Sequence, residues 1–171
     1  MALVVKKKRS KDKIVKNKKT LAGILEGLKS QGKKVVLTNG CFDILHVGHA
    51  RCLEDAKSRG DFLVVALNED PVVTKLKGRG YPINPLEDRM ELVASLTSVD
   101  YVTAFGDETA DEILKLFKPT LYAKGTDYTE RTVPERNTAK EVGAKIVIVG
   151  DKKSHATSKV VQKIRRRKFG A

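Results

Sequence analysis

The sequence predicts a single α/β domain in which five parallel strands form a doubly wound sheet. Three observations carry that expectation. Five short apolar runs, at residues 34–38, 62–67, 100–105, 120–123 and 145–149, are spread along the chain. Segments with helical periodicity or helix-capping residues separate them. The runs are near-continuous in Val, Ile, Leu and Ala, as strands covered on both faces are. A length of 171 residues fits one domain.

Leu21, Ile24, Leu25 and Leu28 fall at i, i+3, i+4 and i+7, an amphipathic helix closing near Gly32. Lys34–Thr38 reads as a buried strand broken by Gly40. A helix is expected from about Gly48 to Arg59, with Gly60 just past its end. Phe62–Leu67 is the second strand, and residues 70–83, rich in Lys, Gly and Pro, read as a loop. Asn84-Pro85-Leu86-Glu87 offers an N-cap Asn, Pro at N1 and Glu at N3. The helix it opens carries Met90, Leu92, Val93 and Leu96. Asp100–Phe105 is strand three, and Thr109-Ala110-Asp111-Glu112 is a capping box for a helix through Leu116. Thr120–Ala123, a helix around 134–142, the strand Lys145–Val149 and a last helix from near Thr157 complete the pattern.

The net charge is +13, and nine Lys/Arg against one Asp lie within residues 1–20, with four more Lys/Arg in residues 165–171. The sequence therefore divides into a basic N-terminal tail (1–19), a nearly neutral domain (20–164) and a basic C-terminal tail (165–171). Such tails read as solvated ends; the other reading is salt-sensitive binding of RNA, an acidic partner or a membrane surface. There is no Trp, and aromatics are 5%, so no basic patch is interleaved with stacking side chains. Nucleic acid is accordingly not an expected partner. No run of 18 apolar residues suggests a membrane span, and the charge order at the start is wrong for a secretory signal. The two cysteines, Cys41 and Cys52, read as reduced thiols of a cytoplasmic protein.

In open α/β sheets, ligands sit beyond the carboxyl ends of the strands. The unusual residues of this chain lie there: Asn39–His49 after strand one, Asn68 after strand two, Lys124–Tyr128 after strand four and Ser154–Lys159 after strand five. In Thr38-Asn-Gly-Cys-Phe-Asp-Ile-Leu-His-Val-Gly-His49, two histidines flank a glycine at the mouth of a helix. Unpaired N–H groups and the positive end of the helix dipole suit phosphate there. Gly48 lets a ligand approach the backbone, and Gly40 permits the exit from the strand. Blander readings stand beside these. Cys41, His46, His49 and Cys52 could be zinc ligands, but no CxxC knuckle is present. Lys77 and Arg89 could be solvated charges, Lys124–Asp127 a plain turn, and Thr157-Ser158 an N-cap without ligand. Asn84 and Thr109 read as caps only, and His155 as a surface residue or a phosphate neighbour.

The segment Thr38–His49 resembles the HxGH nucleotidylyltransferase superfamily. Asn68–Asp70, Leu76-Lys77-Gly78, Ile83-Asn84-Pro85 with Arg89, Val99-Asp100, Lys124-Gly125-Thr126-Asp127-Tyr128 and Ala156-Thr157-Ser158-Lys159 extend the likeness over residues 20–164. Within the superfamily, these segments are most similar to the bacterial heptose 1-phosphate adenylyltransferases. The resemblance implies a Rossmann-like fold and transfer of AMP from ATP, with Mg²⁺, to a sugar 1-phosphate. A heptose 1-phosphate is the expected acceptor and ADP-heptose the product, with pyrophosphate released by direct in-line attack. It also implies catalytic roles for His46, His49 and Lys77. Asn39, Gly40, Cys41, Phe42, Gly48, Arg89, Lys124, Gly125, Asp127, Thr157 and Ser158 join the histidines around the nucleotide. Asp43, Lys77 and Tyr128 fall to the substrate, with Asp43 bracing its loop, and no side chain is assigned to the metal. Relatives of this kind often form homodimers or larger homo-oligomers, so the same is expected here.

The chain departs from that pattern at His155-Ala156-Thr157-Ser158, where one hydroxyl is missing, and at residues 129–137. Two further substrates stay open on this reading. One is glycerol 3-phosphate or another alcohol phosphate, used by a cytidylyltransferase. The other is the flavin of an archaeal-type FAD synthetase, whose Phe-Asp-x-Leu-His-x-Gly-His segment is similar. A module that binds RNA through its tails is the reading from outside the enzymes.

Overall fold

A computed structural model of the protein describes residues 9–151 and 157–166; the side chains of Ser158, Lys159 and Arg165 also lie outside the described set. The elements run α1 (Ser10–Lys13), α2 (Lys18–Ser30), β1 (Val35–Gly40), α3 (Val47–Ser58), β2 (Phe62–Asn68), α4 (Asp70–Lys77), α5 (Leu86–Ser95), β3 (Tyr101–Phe105), α6 (Asp111–Phe117), β4 (Leu121–Gly125), α7 (Arg136–Glu141), β5 (Lys145–Val149) and α8 (Thr157–Arg166). All five strands are parallel, in the order β3-β2-β1-β4-β5. The expected doubly wound sheet is therefore present.

Alternate residues of each strand face opposite sides of a sheet, and here both sides are covered. Val35 and Leu37 of β1 join Val64, Ala66 and Tyr122 against Leu21 and Leu25 of α2 and Leu114 and Phe117 of α6. On the other face, Val36, Leu63, Val65 and Val102 meet Leu53 and Ala56 of α3 and Met90, Val93 and Ala94 of α5. The order reverses between β1 and β4. Their pairing ends at Thr38 and Ala123, so the strands part there and open a crevice at their carboxyl ends.

Several local expectations change. Residues 70–77, read as loop, are helix α4. Pro71 stands in its first turn, where it needs no N–H partner, and Val72 and Val73 are buried. The N-cap of α5 is Pro85, not Asn84, and the N-cap of α6 is Ala110, with the Thr109 hydroxyl bonded to Asp111 instead. Gly60 is required by space rather than by a left-handed cap. A Cβ there would lie 2.7 Å from Val36 Cγ2 and 2.9 Å from the Lys34 carbonyl oxygen.

The N-terminal tail is also corrected in part. Ile14 bridges to Val102 on the edge strand β3, and Val15 N–H donates to the Val102 carbonyl at 2.8 Å. Lys13 is 6% exposed, and its ammonium donates to the Leu96 carbonyl at 2.9 Å. The basic count hid Ile14 and Val15, which pack on the two cores and cover a sheet edge that would otherwise present unpaired backbone. Residues 1–8 and 167–171 of the expected tails lie outside the described residues. No helix among the described residues is long and apolar enough to cross a membrane.

Candidate active site

The loop that leaves β1 is built by its own sequence. Phe42 has a φ of 47°, left-handed for a residue with a side chain, a conformation that the surrounding structure must hold. Its ring folds back over Gly40, where a Cβ would lie 3.1 Å from Phe42 Cε2. Asp43 is fully buried. Its carboxylate accepts the backbone N–H groups of Ile83 and Asn84 at 2.9 Å, and Asn84 Nδ2 returns a bond to the Asp43 carbonyl at 2.7 Å. Asp43 thus braces the loop, as expected, but backbone donors occupy it, so it is not a substrate ligand. Asn84, read as a cap, is the other half of that brace.

Arg89, expected at a phosphate, is instead fully buried beneath the loop. Its guanidinium donates to the carbonyls of Asn84 (3.1 Å), Cys41 (2.5 Å) and Asn68 (2.9 Å) and to the Asp70 carboxylate (2.6 Å). Four of its five N–H donors are spent on these contacts. It clamps the carboxyl ends of β1 and β2 to α4 and α5.

His46 is the N-cap of α3 in position, but no side chain caps the first turn. The N–H groups of Val47 and Gly48 therefore stand at the positive end of a twelve-residue helix. The rings of His46 and His49 stack at 3.8 Å and 19° between planes, and Phe42 lies 5.2 Å from His49. His49 Nδ1 is buried and has no hydrogen-bond partner among the described residues. Burial first, then His46 and Lys77, push the His49 pKa down to about 4. His49 is thus neutral near pH 7. A bound anion stabilises its charged form and raises that pKa, so the complex holds more protons than the free protein between the two values. Nucleotide affinity should then gain from His49 as the pH falls from about 7 to about 5. The check is ATP titration of wild type and His49→Ala across that range. The wild-type advantage should widen on acidification, and a constant ratio would refute the account.

Lys77 ends α4, exposed, with its ammonium 5.9 Å from the Tyr81 ring. Its effect on His49 shows that it lies on the same side of the site. On the other side, Thr157 opens α8 and its hydroxyl reaches the Ile44 carbonyl at 3.4 Å. This brings the start of α8 against the loop of residues 41–46. Gly125 ends β4, Asp127 is exposed beyond it, and Thr126 Oγ1 donates to the Asp151 carbonyl at 2.8 Å. The Ser158 side chain and His155 lie outside the described residues. The two thiols face different neighbours, Cys41 near Asn68 Oδ1 and Cys52 near the Val149 carbonyl, each at 3.9 Å. Among the described residues no group of three or more His, Cys, Asp or Glu is placed to hold a metal, so the zinc reading has no geometric support.

Lys124, expected at the nucleotide, is buried. It donates to Asn39 Oδ1 (3.2 Å), the Tyr122 hydroxyl (3.3 Å) and Glu135 Oε2 (3.4 Å). Tyr128 packs beside it, with the ring centre 4.9 Å from the ammonium. Glu135, Tyr122 and Asp70 are site-building residues that the sequence reading missed. Glu135 sits in a polar stretch with no pattern, Tyr122 passes for a strand aromatic, and Asp70 carries only its place beside Asn68.

An uncapped helix start at the switch point of a parallel sheet is the arrangement that suits a phosphate-bearing ligand in α/β proteins. Residues 37–168 match the cytidylyltransferase-like family, and the chain belongs to it. It is 46% identical to the bifunctional protein HldE of Sulfurimonas denitrificans over 92% of its own length and 32% of that protein's. The chain spans about a third of the length of the curated relatives it matches. Among solved structures, a lipopolysaccharide core biosynthesis protein from Thermoplasma volcanium is similar at 27% identity and a TM-score of 0.61, over 71% of this chain and all of that one. A pantoate-beta-alanine ligase from Francisella tularensis shares the fold at 18% identity and a TM-score of 0.61, over 92% of this chain and 81% of that one.

Proposed function

We propose that this protein transfers AMP from ATP to a sugar 1-phosphate, with a heptose 1-phosphate as the leading acceptor, and releases pyrophosphate. The observation that carries the reading is the stacked His46–His49 pair, with His49 neutral, over the uncapped start of α3. Neutral imidazoles donate hydrogen bonds to phosphoryl oxygens, and the Val47 and Gly48 N–H groups add two more donors. The attacking sugar phosphate is already an anion, so no general base is required. Catalysis is then alignment and stabilisation of charge on the pentavalent phosphorus. Lys77, exposed at the end of α4, supplies a positive charge from the His49 side. Magnesium, bound by the triphosphate, would neutralise the departing pyrophosphate.

The choice of a sugar phosphate draws support from the HldE relatives and from the lipopolysaccharide core biosynthesis protein. The test is pyrophosphate release with Mg²⁺, pairing ATP or CTP with heptose 1-phosphate, glycerol 3-phosphate and FMN. Release with ATP and heptose 1-phosphate is expected. Release only with CTP and glycerol 3-phosphate, or only with FMN, would keep the reaction and replace the acceptor. Release with none of the pairs would refute the proposal.

A further inference from the structure

Asn39 and Lys124 are the first residues past the last β1–β4 pair, Thr38 and Ala123. They therefore flank the point where the central strands separate. Asn39 Oδ1 accepts the Tyr122 hydroxyl at 2.7 Å and the Lys124 ammonium at 3.2 Å. An ammonium only donates, and a carboxamide oxygen has two lone pairs. The two contacts saturate that oxygen and fix which way round the amide sits. Asn39 Nδ2 then points away from both donors. It carries no hydrogen bond among the described residues, yet it is not one of the buried atoms lacking a partner. It is thus accessible, at the mouth of the crevice.

Beneath it, the Lys124 and Glu135 side chains are only 8% and 3% exposed. Glu135 uses its second oxygen to accept Ala110 N–H at 3.2 Å, at the start of α6. Burial lowers the Lys124 pKa, and Glu135 works against that loss of charge. A buried ion pair contributes little net stability over apolar packing; its distinctive effect is to fix geometry. All three Lys124 N–H donors are directed at Asn39, Tyr122 and Glu135, so the ammonium has none left for a ligand.

We infer that the Lys124–Glu135 pair, with Tyr122, is a positioning device that holds the Asn39 carbonyl inward and presents the Asn39 amide N–H groups to a phosphoryl oxygen of the bound nucleotide. This rests on the nucleotidyl-transfer reading above. Asn39 is the residue that touches ligand, and Lys124, Tyr122 and Glu135 act through it. The nearby positive charge polarises the amide without touching the nucleotide.

The experiment is ATP titration by calorimetry in Mg²⁺, well below the melting temperature of each variant, with thermal unfolding measured in parallel. Asn39→Asp keeps an oxygen for Tyr122 and Lys124 but replaces the outward donor with an anionic acceptor. It should lose about 100-fold in ATP affinity with no loss of thermal stability. Glu135→Gln loosens the Lys124 anchor and should lose on the order of 10-fold. If Lys124 instead touched the nucleotide, Glu135→Gln would free the ammonium, and affinity would hold or rise; that result overturns the inference. So does Asn39→Asp with wild-type affinity, or Glu135→Gln with a lowered melting temperature and unchanged affinity. A wild-type protein that binds neither ATP nor CTP sinks the functional reading itself, and this inference with it.

Discussion

His49→Ala is expected to lower turnover about 100- to 1,000-fold and to leave folding stability within about 1 kcal/mol of wild type. The two halves of that expectation have the same origin. His49 Nδ1 is buried without a partner among the described residues, and burial holds its pKa near 4. A buried polar atom that makes no hydrogen bond costs the folded state. Its removal therefore offsets the packing lost against the His46 and Phe42 rings. A phosphate arriving at the start of α3 meets the other ring nitrogen, and that interaction is strongest where negative charge accumulates, in the transition state. The measurement is kcat from pyrophosphate release, together with the denaturant midpoint. A variant that loses several kcal/mol of stability while the folded fraction keeps wild-type kcat would show that His49 is a core residue. His46→Ala is a harsher change, because His46 also sets the entry of the chain into α3.

The sheet was legible because its strands are buried on both faces, which writes each one as an unbroken apolar run. The runs understate two strands, however. β1 continues through Asn39 to Gly40 and β4 through Lys124 to Gly125, because the sheet's carboxyl edge lines a crevice where polar side chains belong. Helix α4 was hidden by its Lys and by the glycines that follow it. It buries little beyond Val72 and Val73, too short a stripe to register as periodicity. In the N-terminal segment the lysine count masked Ile14 and Val15, two apolar residues that close a sheet edge.

In the site, spacing was informative and charge was not. His46 and His49 lie three apart around a glycine, and a helix start brings them into one stack; that much follows from local geometry. What Arg89, Asp43 and Lys124 do depends on partners far along the chain. Arg89 meets Cys41 from 48 positions away and Asp43 meets Ile83 from 40, so Arg89 reads from sequence as a ligand when it is a brace, and Asp43 as ligand and brace together when it is a brace alone. Glu135 has no local signature, because its meaning lies in being buried beside Lys124.

Arg89→Met is expected to destabilise the protein by about 3–5 kcal/mol, the largest stability loss of any single change at this site. The methionine fills much of the volume but satisfies no acceptor. The carbonyls of Cys41, Asn68 and Asn84 lose their donor inside the protein, and Asp70 loses its partner. The denaturant midpoint should fall with the slope unchanged, as for a loss of stability without a change in the surface exposed. Arg89→Lys should recover only part of it, since one ammonium cannot span acceptors arranged for a planar fork. Were Arg89 a phosphate ligand, the pattern would invert: stability would survive, and ATP affinity would fall in salt-sensitive fashion. If Arg89→Met does not fold at all, Asp70→Asn tests the same clamp more gently. That carboxylate side chain is 42% exposed, so water compensates part of the loss, and the expected cost is about 1 kcal/mol. A destabilised clamp also frees Cys41, and with it the loop that aims His46 and His49. The residual folded Arg89→Lys protein should therefore show a lower kcat, although Arg89 never touches the nucleotide.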